Sequence, residues 1–256
     1  RGTDVDRIVG GDIDGRLRSS VGISIGGGAT ETKADMFGVG SNPAVNTDIG
    51  NGDVELILGP ADSITVTAEL RKPESIEYSA TRDGNMITVI AKTKNNSRAD
   101  VTITVPADTT FSLSTGSGDV DVPAVNASGS VNSGSGSLTL VNTGGDVTGS
   151  TGSGDVDARD LEGSFGLSSG SGDVDFKGEL AQGSENKFSS GSGSVTAQLT
   201  GTPSVDLDLK IEQEGKVRVE LSATVVENTE HRFAGTVGAG DAALTVRVGD
   251  GDIVVE

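Results

Sequence analysis

The chain of 256 residues carries a formal net charge of −19 and contains 39 Gly, no Cys and no Trp. A charge of this sign repels nucleic acid and anionic membrane surfaces, so cations, carbohydrate or protein are the expected partners. The absence of Cys excludes disulfide-stapled folds and thiolate metal sites. No apolar run approaches the roughly 18 residues of a membrane helix, so direct membrane insertion of this chain is not expected.

Residues 1–49 predict a Gly-rich N-terminal β segment that is a candidate assembly arm. Val21–Ile25 is a short β-prone stretch, and Gly26-Gly27-Gly28 after it is a candidate hinge. Strands that precede a hinge can pair with the sheet edge of a neighbouring subunit. The chain begins at Arg1 rather than Met, which predicts a processed and secreted product.

Residues 50–115 predict longer alternating strands that are continuous with the repeats after them. Asp83-Gly84-Asn85 is a hairpin signal between two of these strands, and Pro106 should end another because proline cannot donate to a β ladder. The predicted strands are Val54–Leu58, Ile64–Leu70, Ile76–Ala80, Met86–Ala91, Val101–Val105 and Phe111–Leu113.

Residues 116–200 repeat a five-residue phrase: Gly-Ser-Gly, then Asp or Ser, then Val or Leu. The spacing is 18, 18, 18 and 21 residues, because the phrases begin at Gly116, Gly134, Gly152, Gly170 and Gly191. This period predicts a parallel β-solenoid with coils of about 18 residues, right-handed like most parallel crossovers. Apolar residues at half the period predict two opposed strands per coil, joined by Gly-Ser turns: Leu138, Val147, Val156, Phe165 and Val174.

Residues 201–256 predict a C-terminal β region or cap, in which alternating strands resume. The last strand, Ile253–Val255, is followed by only one residue. Uncapped solenoid ends expose unpaired strand edges, so this strand and the N-terminal arm are the candidate contacts for self-association into a filament or layer.

Four aspartates of the repeats form a candidate metal site, an outer face that could bind calcium: Asp155, Asp157, Asp173 and Asp175. In an 18-residue coil Asp155 stacks on Asp173 and Asp157 on Asp175, and a bound cation would relieve the repulsion between these carboxylates. In a calcium-binding β-roll the carboxylates lie in the turns, whereas an Asp directly before Val is expected on a strand face. A solvated acidic face is therefore the alternative, and Ser137 and Ser194 interrupt the series.

Catalytic chemistry has little support in the sequence. His231 is the only His, and between residues 116 and 200 the only basic residues are Arg159, Lys177 and Lys187. Carboxylate-based polysaccharide cleavage at the four aspartates is a less favoured alternative, because the site would lack an electrophile beside them. We therefore expect no catalytic residues and no cofactor, calcium being the one possible exception. Two sequons, at Asn95 and Asn126, are weak candidate glycosylation sites.

The order of these features carries a resemblance to a known family. Alternating strands from Ile64, a stop at Val105-Pro106 and the stretch Phe111–Val120 lead into the Gly-Ser-Gly-Asp-Val repeats. From about residue 50 to 256, this resembles the prokaryotic β-strand-repeat family of adhesin-like proteins, a domain family of otherwise unknown function. The resemblance implies an extracellular or cell-envelope β-solenoid that binds cell-surface protein or carbohydrate, and it supplies no catalytic residues.

Overall fold

The computed structural model describes residues 6–11, 16–24, 29–123 and 127–256. These residues form β-strands, turns and one 3-10 helix, Pro73–Ser75, without an α-helix among them, which confirms the predicted all-β class. The chain forms two compact units, residues 1–127 and residues 128–256. The candidate hinge Gly26-Gly27-Gly28 lies outside the described residues.

The first unit contains eleven described strands. They are β1 (Asp6–Gly11), β2 (Arg16–Ser24), β3 (Ala29–Gly38), β4 (Ala44–Ile49), β5 (Val54–Leu58), β6 (Ser63–Arg71), β7 (Ile76–Asp83), β8 (Met86–Thr93), β9 (Arg98–Val105), β10 (Thr110–Thr115) and β11 (Val120–Pro123). The hairpin predicted at Asp83-Gly84-Asn85 joins β7 to β8, and β9 ends directly before Pro106, as the sequence predicts.

Two series of hydrogen-bonded strands make up this unit. One runs β1-β2-β3-β6-β9-β5-β11, antiparallel as far as β9 and parallel beyond it. The other runs β7-β8-β4-β10, with only the β7–β8 pair antiparallel. Three coils contribute one strand to each series: β4 with β5, β8 with β9, and β10 with β11.

The coil of β4 and β5 lies between two coils that follow it in the sequence. Val45 of β4 pairs with Ile87 of β8 on one side and with Phe111 of β10 on the other, and β5 lies likewise between β9 and β11. The boundary predicted at residue 49 thus falls between two strands of one coil. Part of the predicted N-terminal segment is built into the stack, because β4 hydrogen-bonds on both edges.

The second unit contains thirteen strands in its described residues. They are β12 (Gly129–Ser133), β13 (Leu138–Val141), β14 (Gly144–Thr151), β15 (Val156–Ser171), β16 (Val174–Leu180), β17 (Glu185–Ser192), β18 (Val195–Leu199), β19 (Val205–Ile211), β20 (Val217–Val219), β21 (Ala223–Asn228), β22 (Arg232–Val237), β23 (Ala242–Asp250) and β24 (Ile253–Val255).

Parallel pairing at offsets of 18 or 21 residues organises the repeats of this unit, whereas β22 pairs antiparallel with β19 and β21. Leu138 pairs with Val156 and Val156 with Val174, each 18 residues on, and Val174 pairs with Val195, 21 residues on. One series runs β12-β14-β15-β17-β23-β19-β22-β21, and the other runs β13-β15-β16-β18-β24-β20. The long β15 belongs to both, its first half to the second series and its second half to the first.

The C-terminal strand β24 is an interior strand. Ile253 pairs with Val195 of β18 on one side and with Val217 of β20 on the other. The prediction that Ile253–Val255 presents an open edge is therefore wrong, because the chain folds back and inserts its last coil between two earlier ones. The described strands that end the two series are instead β21, which pairs with β22, and β20, which pairs with β24.

The core is one layer of side chains between the two series. Every member of the predicted half-period set is buried: Leu138, Val147, Val156, Phe165 and Val174. Three of the largest fully buried side chains pack together, with ring centroids 5.4 Å apart between Phe165 and Phe176 and 4.9 Å apart between Phe176 and Phe188. Alternation along the strands therefore sets the buried face, as the sequence predicts.

The two corners of a coil differ, which corrects the prediction that Gly-Ser turns join both strands. Gly-Ser-Gly turns form one corner only. At the other corner the chain bends through left-handed residues 18 apart, Asn142 (φ 50°) and Asp160 (φ 55°). Asn and Asp tolerate this conformation better than other side chains do. β15 consequently passes the corner with only a register shift between Arg159 and Leu161.

Close stacking at the Gly-Ser-Gly corner leaves no room for a side chain. Gly154 has a φ of 149°, and a Cβ placed on it would lie 2.4 Å from the carbonyl oxygen of Gly136 in the neighbouring coil. By contrast, Gly84 in the β7–β8 hairpin has a φ of 59°, but a Cβ there would meet nothing within 4 Å.

We therefore expect Gly154→Ala to lower the free energy of unfolding by about 2–3 kcal/mol, since it adds a backbone clash to conformational strain. Gly84→Ala adds strain alone and should cost about 1 kcal/mol. Urea unfolding followed by circular dichroism measures both. Equal losses would contradict the close-stacking explanation.

Candidate functional site

The fourth residue of the Gly-Ser-Gly phrases that begin at Gly134, Gly152, Gly170 and Gly191 accepts a hydrogen bond from a backbone amide of the next coil. The amide of Asp173 donates to Oδ1 of Asp155 at 2.9 Å, and the amide of Ser194 donates to Oδ1 of Asp173 at 2.7 Å. We call this series the corner ladder. It continues through Oγ of Ser194 to the amide of Asp252 at 3.2 Å, and through Oδ1 of Asp252 to the amide of Lys216 at 2.8 Å.

The corner ladder corrects the placement of two predicted site residues. Asp155 and Asp173 do not lie on a strand face, because β15 begins at Val156 and β16 at Val174. They end the turn, where their carboxylates accept backbone amides. Serine accepts the same bond, which explains why Ser137 and Ser194 take the place of Asp. The exchange of Asp for Ser is itself a sequence signal for an acceptor.

The first unit uses the same device. The amide of Asp119 donates to Oδ1 of Asp53 at 2.9 Å, and the amide of Asp53 donates to Oδ1 of Asp100 at 3.0 Å. Arg98 forms ion pairs with both Asp53 and Asp100. Asp100 lies on β9, outside any Gly-Ser-Gly phrase, so the geometry extends beyond the visible repeat.

A second, buried ladder was missed by sequence reasoning. The residue directly before each phrase is Ser or Thr, and its hydroxyl donates to a glycine carbonyl of the preceding coil. Thr151 donates to Gly136 at 2.7 Å, and Ser169 donates to Gly154 at 2.8 Å. The signal was present, since hydroxyl residues stand at 115, 133, 151, 169 and 190. Both ladders satisfy polar groups at a corner that has little side-chain packing.

Asp157 and Asp175 face outward from neighbouring strands, as predicted. They are register partners on β15 and β16. Oδ2 of Asp157 lies 2.5 Å from Nη2 of Arg159, while its Oδ1 is buried without a hydrogen-bond partner in the described residues. Burial raises the pKa of Asp175. The negative charges of Asp173, Asp157 and Asp155 also raise it, whereas a hydrogen bond with Thr196 lowers it.

A shallow cavity of about 180 Å³ opens beside this pair. Its charged and polar lining consists of Asp157, Arg159, Asp175, Lys177, Thr196, Gln198 and Glu256. Adjacent carboxylates and cations suit polar contacts with a ligand. Among the described residues, no group of three or more His, Asp or Glu side chains is arranged to hold a metal ion. Calcium binding stays a prediction.

The other predicted residues lie apart from this face. His231 is exposed between β21 and β22, where its carbonyl accepts the amide of Ile211 at 2.9 Å. Asn95 is exposed in the loop between β8 and β9, although Ser97 of its sequon is buried and donates its hydroxyl to the carbonyl of Ser75. Asn126 lies outside the described residues. Glycosylation stays a prediction at both sequons.

Residues 110–256, which contain all the Gly-Ser-Gly phrases and the corner ladder of the second unit, match the model of the Toastrack DUF4097 family. The chain belongs to the DUF4097 family. Among functionally curated proteins none matches the sequence. No helix in the described part of this DUF4097 chain is long and apolar enough to cross a bilayer.

The comparison with solved structures gives several matches at low sequence identity and low TM-score. A "putative cell adhesion protein" from Clostridium sporogenes ATCC 15579 is 13% identical, with a TM-score of 0.38; the match covers 88% of this chain and 98% of that one. A "putative adhesin" from Bacteroides fragilis NCTC 9343 is 10% identical, with a TM-score of 0.32 and coverage of 88% and 97%. A "putative lipid binding protein" from Parabacteroides distasonis ATCC 8503 is 12% identical, with a TM-score of 0.30 and coverage of 88% and 96%.

The corner ladder predicts different effects for two substitutions at one position. Asp173→Ala removes the acceptor of the Ser194 amide and should lower the free energy of unfolding by about 1 kcal/mol. Asp173→Ser should be nearly neutral, because Ser already fills this role in two other coils. Both variants remove the same charge, so urea unfolding isolates the hydrogen bond. An equal loss for both would refute the ladder.

The raised pKa of Asp175 predicts a pH-dependent gain on substitution. The carboxyl group of Asp175 keeps its proton to a higher pH in the folded protein than in the unfolded chain. Its ionisation therefore destabilises the folded state at neutral pH, but has no effect below the ordinary pKa of Asp, where the group is protonated in both states. Asp175→Asn should therefore raise the thermal midpoint at pH 7, and the gain should vanish near pH 3. The exposed Glu214→Gln is the control. A gain independent of pH would contradict the electrostatic cause.

Proposed function

We propose that this DUF4097 chain is a non-enzymatic, extracytoplasmic surface protein with a structural or adhesive role. The observation that carries the proposal is the outer face of β12, β14, β15 and β17, where short polar side chains occupy successive outward positions. We call it the polar face: Ser130, Asn132, Thr148, Ser150, Ser168 and Ser189.

The spacing of the polar face suits repeated weak contacts. Asn132, Ser150, Ser168 and Ser189 form one cross-strand row, with neighbouring strands about 4.8 Å apart. Hydroxyl and amide groups at a fixed interval can donate to and accept from a glycan or an extended protein segment. Many such contacts on one rigid face add up to useful avidity even when each is weak. Cell-surface carbohydrate or protein is the partner class proposed here.

The architecture proposed for the coils is a right-handed β-solenoid with an 18-residue repeat. The 18-residue register of β13, β15 and β16 supports the repeat, and the handedness rests on the general preference of parallel crossovers. Its tight Gly corners and narrow core leave the outer faces as the accessible surfaces. That distribution favours recognition on a flat face over chemistry in a deep cleft.

Calcium stabilisation is a second candidate function. Asp157 and Asp175 are register partners on β15 and β16, and a cation beside them would relieve the repulsion between their carboxylates. Self-association is proposed through β21, where Val225 and Val226 are 52% and 82% exposed. A bulge at Val226 limits this pairing, because bulges interrupt the ladder an added strand needs.

The polar face is tested by adding bulk to it. We expect Ser150→Arg combined with Ser168→Arg to weaken binding to immobilised envelope polysaccharide or surface protein by about tenfold or more, as loss of several contacts implies. The matched control, Ser79→Arg combined with Thr81→Arg, adds the same charge at two exposed positions of β7, outside the polar face. Unchanged binding by the first variant, or polysaccharide cleavage that Asp157→Asn abolishes, would overturn the proposal.

Light scattering in chelator and in millimolar calcium accompanies this assay. A mass that rises only with calcium would favour the calcium candidate, whereas a large mass in both conditions would favour assembly through β21. A monomer in both conditions would leave the polar face as the functional surface.

A further inference from the structure

A second cavity in the unit of residues 128–256 lies away from the corner ladder. It has a volume of about 270 Å³ and lies beside the loops of residues 181–184, 200–204 and 238–241. Leu180, Leu199 and Val205 give its lining an apolar part, and Glu179, Gln182 and Asp241 give it polar groups.

Backbone hydrogen bonds fix the loops around this cavity. The amide of Gly183 donates to the carbonyl of Asp241 at 2.7 Å, and the amide of Thr200 donates to the carbonyl of Gly178 at 2.8 Å. The amide of Ala242 donates to the carbonyl of Ser204 at 3.0 Å. The cavity is thus formed by loops that are tied to one another and to strand β16, and a ligand would meet a largely pre-formed site.

The two carboxylates of the cavity form no ion pair within the described residues. No Lys or Arg in the described part of the chain forms an ion pair with Glu179 or Asp241. Ser204 orients Asp241 by donating its hydroxyl to Oδ2 at 2.8 Å, while it accepts the amides of Ala239 and Asp241. Glu179 lies beside Gly201, where a Cβ would come within 3.3 Å of its carboxylate oxygens.

From this geometry we propose that the cavity binds the side chain of a lysine from a partner protein. Glu179 and Asp241 are exposed carboxylates at this cavity. An ammonium group matches both their charge and their hydrogen-bond acceptors, whereas a neutral sugar supplies hydrogen bonds without charge. The apolar residues match the alkyl stem of a lysine. The volume lies below the usual range for ligand sites, which suits one side chain better than an oligosaccharide. The net charge of −19 attracts a basic partner.

This inference rests on the proposed adhesive function, because the lysine would belong to a surface protein that the chain contacts. The probe is Nα-acetyl-lysine N-methylamide, titrated into the full chain and followed by amide NMR spectra. We expect saturable shifts of the amides of residues 181–184 and 200–204, weakened by added salt. The norleucine analogue, which has the apolar stem without the ammonium, should give no saturable shifts.

Substitutions in the cavity make the test specific. Glu179→Gln and Asp241→Asn should each weaken binding by about tenfold, the loss expected for one charge-assisted contact. Asn at position 241 can still accept the Ser204 hydroxyl, so the fold should persist. Glu214→Gln, outside the cavity, is the matched control and should bind as the unaltered chain does.

Three outcomes would overturn the inference: equal shifts with the norleucine analogue, unchanged affinity in the Glu179→Gln and Asp241→Asn double variant, or saturable binding of glucose but not of the lysine derivative. Binding of cadaverine, a free diamine, without binding of the lysine derivative would overturn the assignment of the ammonium group to a lysine of a partner protein. If the lysine derivative does not bind while the polar face still binds its partner, only the proposal for this cavity fails. If the lysine derivative binds while the chain binds no envelope polysaccharide or surface protein, the adhesive proposal fails instead.

Discussion

The close approach of backbones at the Gly-Ser-Gly corner is the constraint on which the rest of the second unit depends. Coils stack there with so little space that a Cβ on Gly154 would lie 2.4 Å from a neighbouring carbonyl oxygen. With no side chains to pack, the corner is held by backbone bonds, by Asp or Ser acceptors and by buried Ser or Thr hydroxyls. Glycine makes the approach possible, and the acceptors satisfy the amides that it brings together.

This use of aspartate changes how the acidic composition is understood. Asp155 and Asp173 contribute to the fold through the amides they accept, whereas Asp157 and Asp175 remain on a solvent-facing row beside Arg159 and Lys177. Residues that look equivalent in the repeat thus divide into a structural pair and an accessible pair. The accessible pair and the carboxylates of Glu179 and Asp241 line two separate cavities that a ligand could reach.

In each unit one coil is inserted between two others, so that the order of the coils in the stack differs from their order in the sequence. β4 and β5 hydrogen-bond to strands on both sides in the first unit, and β23 and β24 do so in the second. This arrangement protects strands that would otherwise be edges, and Ile253–Val255 is the clearest case. β21, which pairs only with β22, carries a bulge, a common means of discouraging unwanted strand pairing.

The sequence by itself determined the all-β class, the spacing of the phrases and the buried residues, because strand alternation and an 18-residue repeat are visible along the chain. It also located the hairpin at Gly84 and the strand stop at Pro106. Only the tertiary structure decided the roles of Asp155 and Asp173, since their amide partners lie one coil away, and the interior position of β24, since its neighbours come from distant segments. The cavity at Glu179 and Asp241 likewise depends on loops far apart in sequence, which no local pattern brings together.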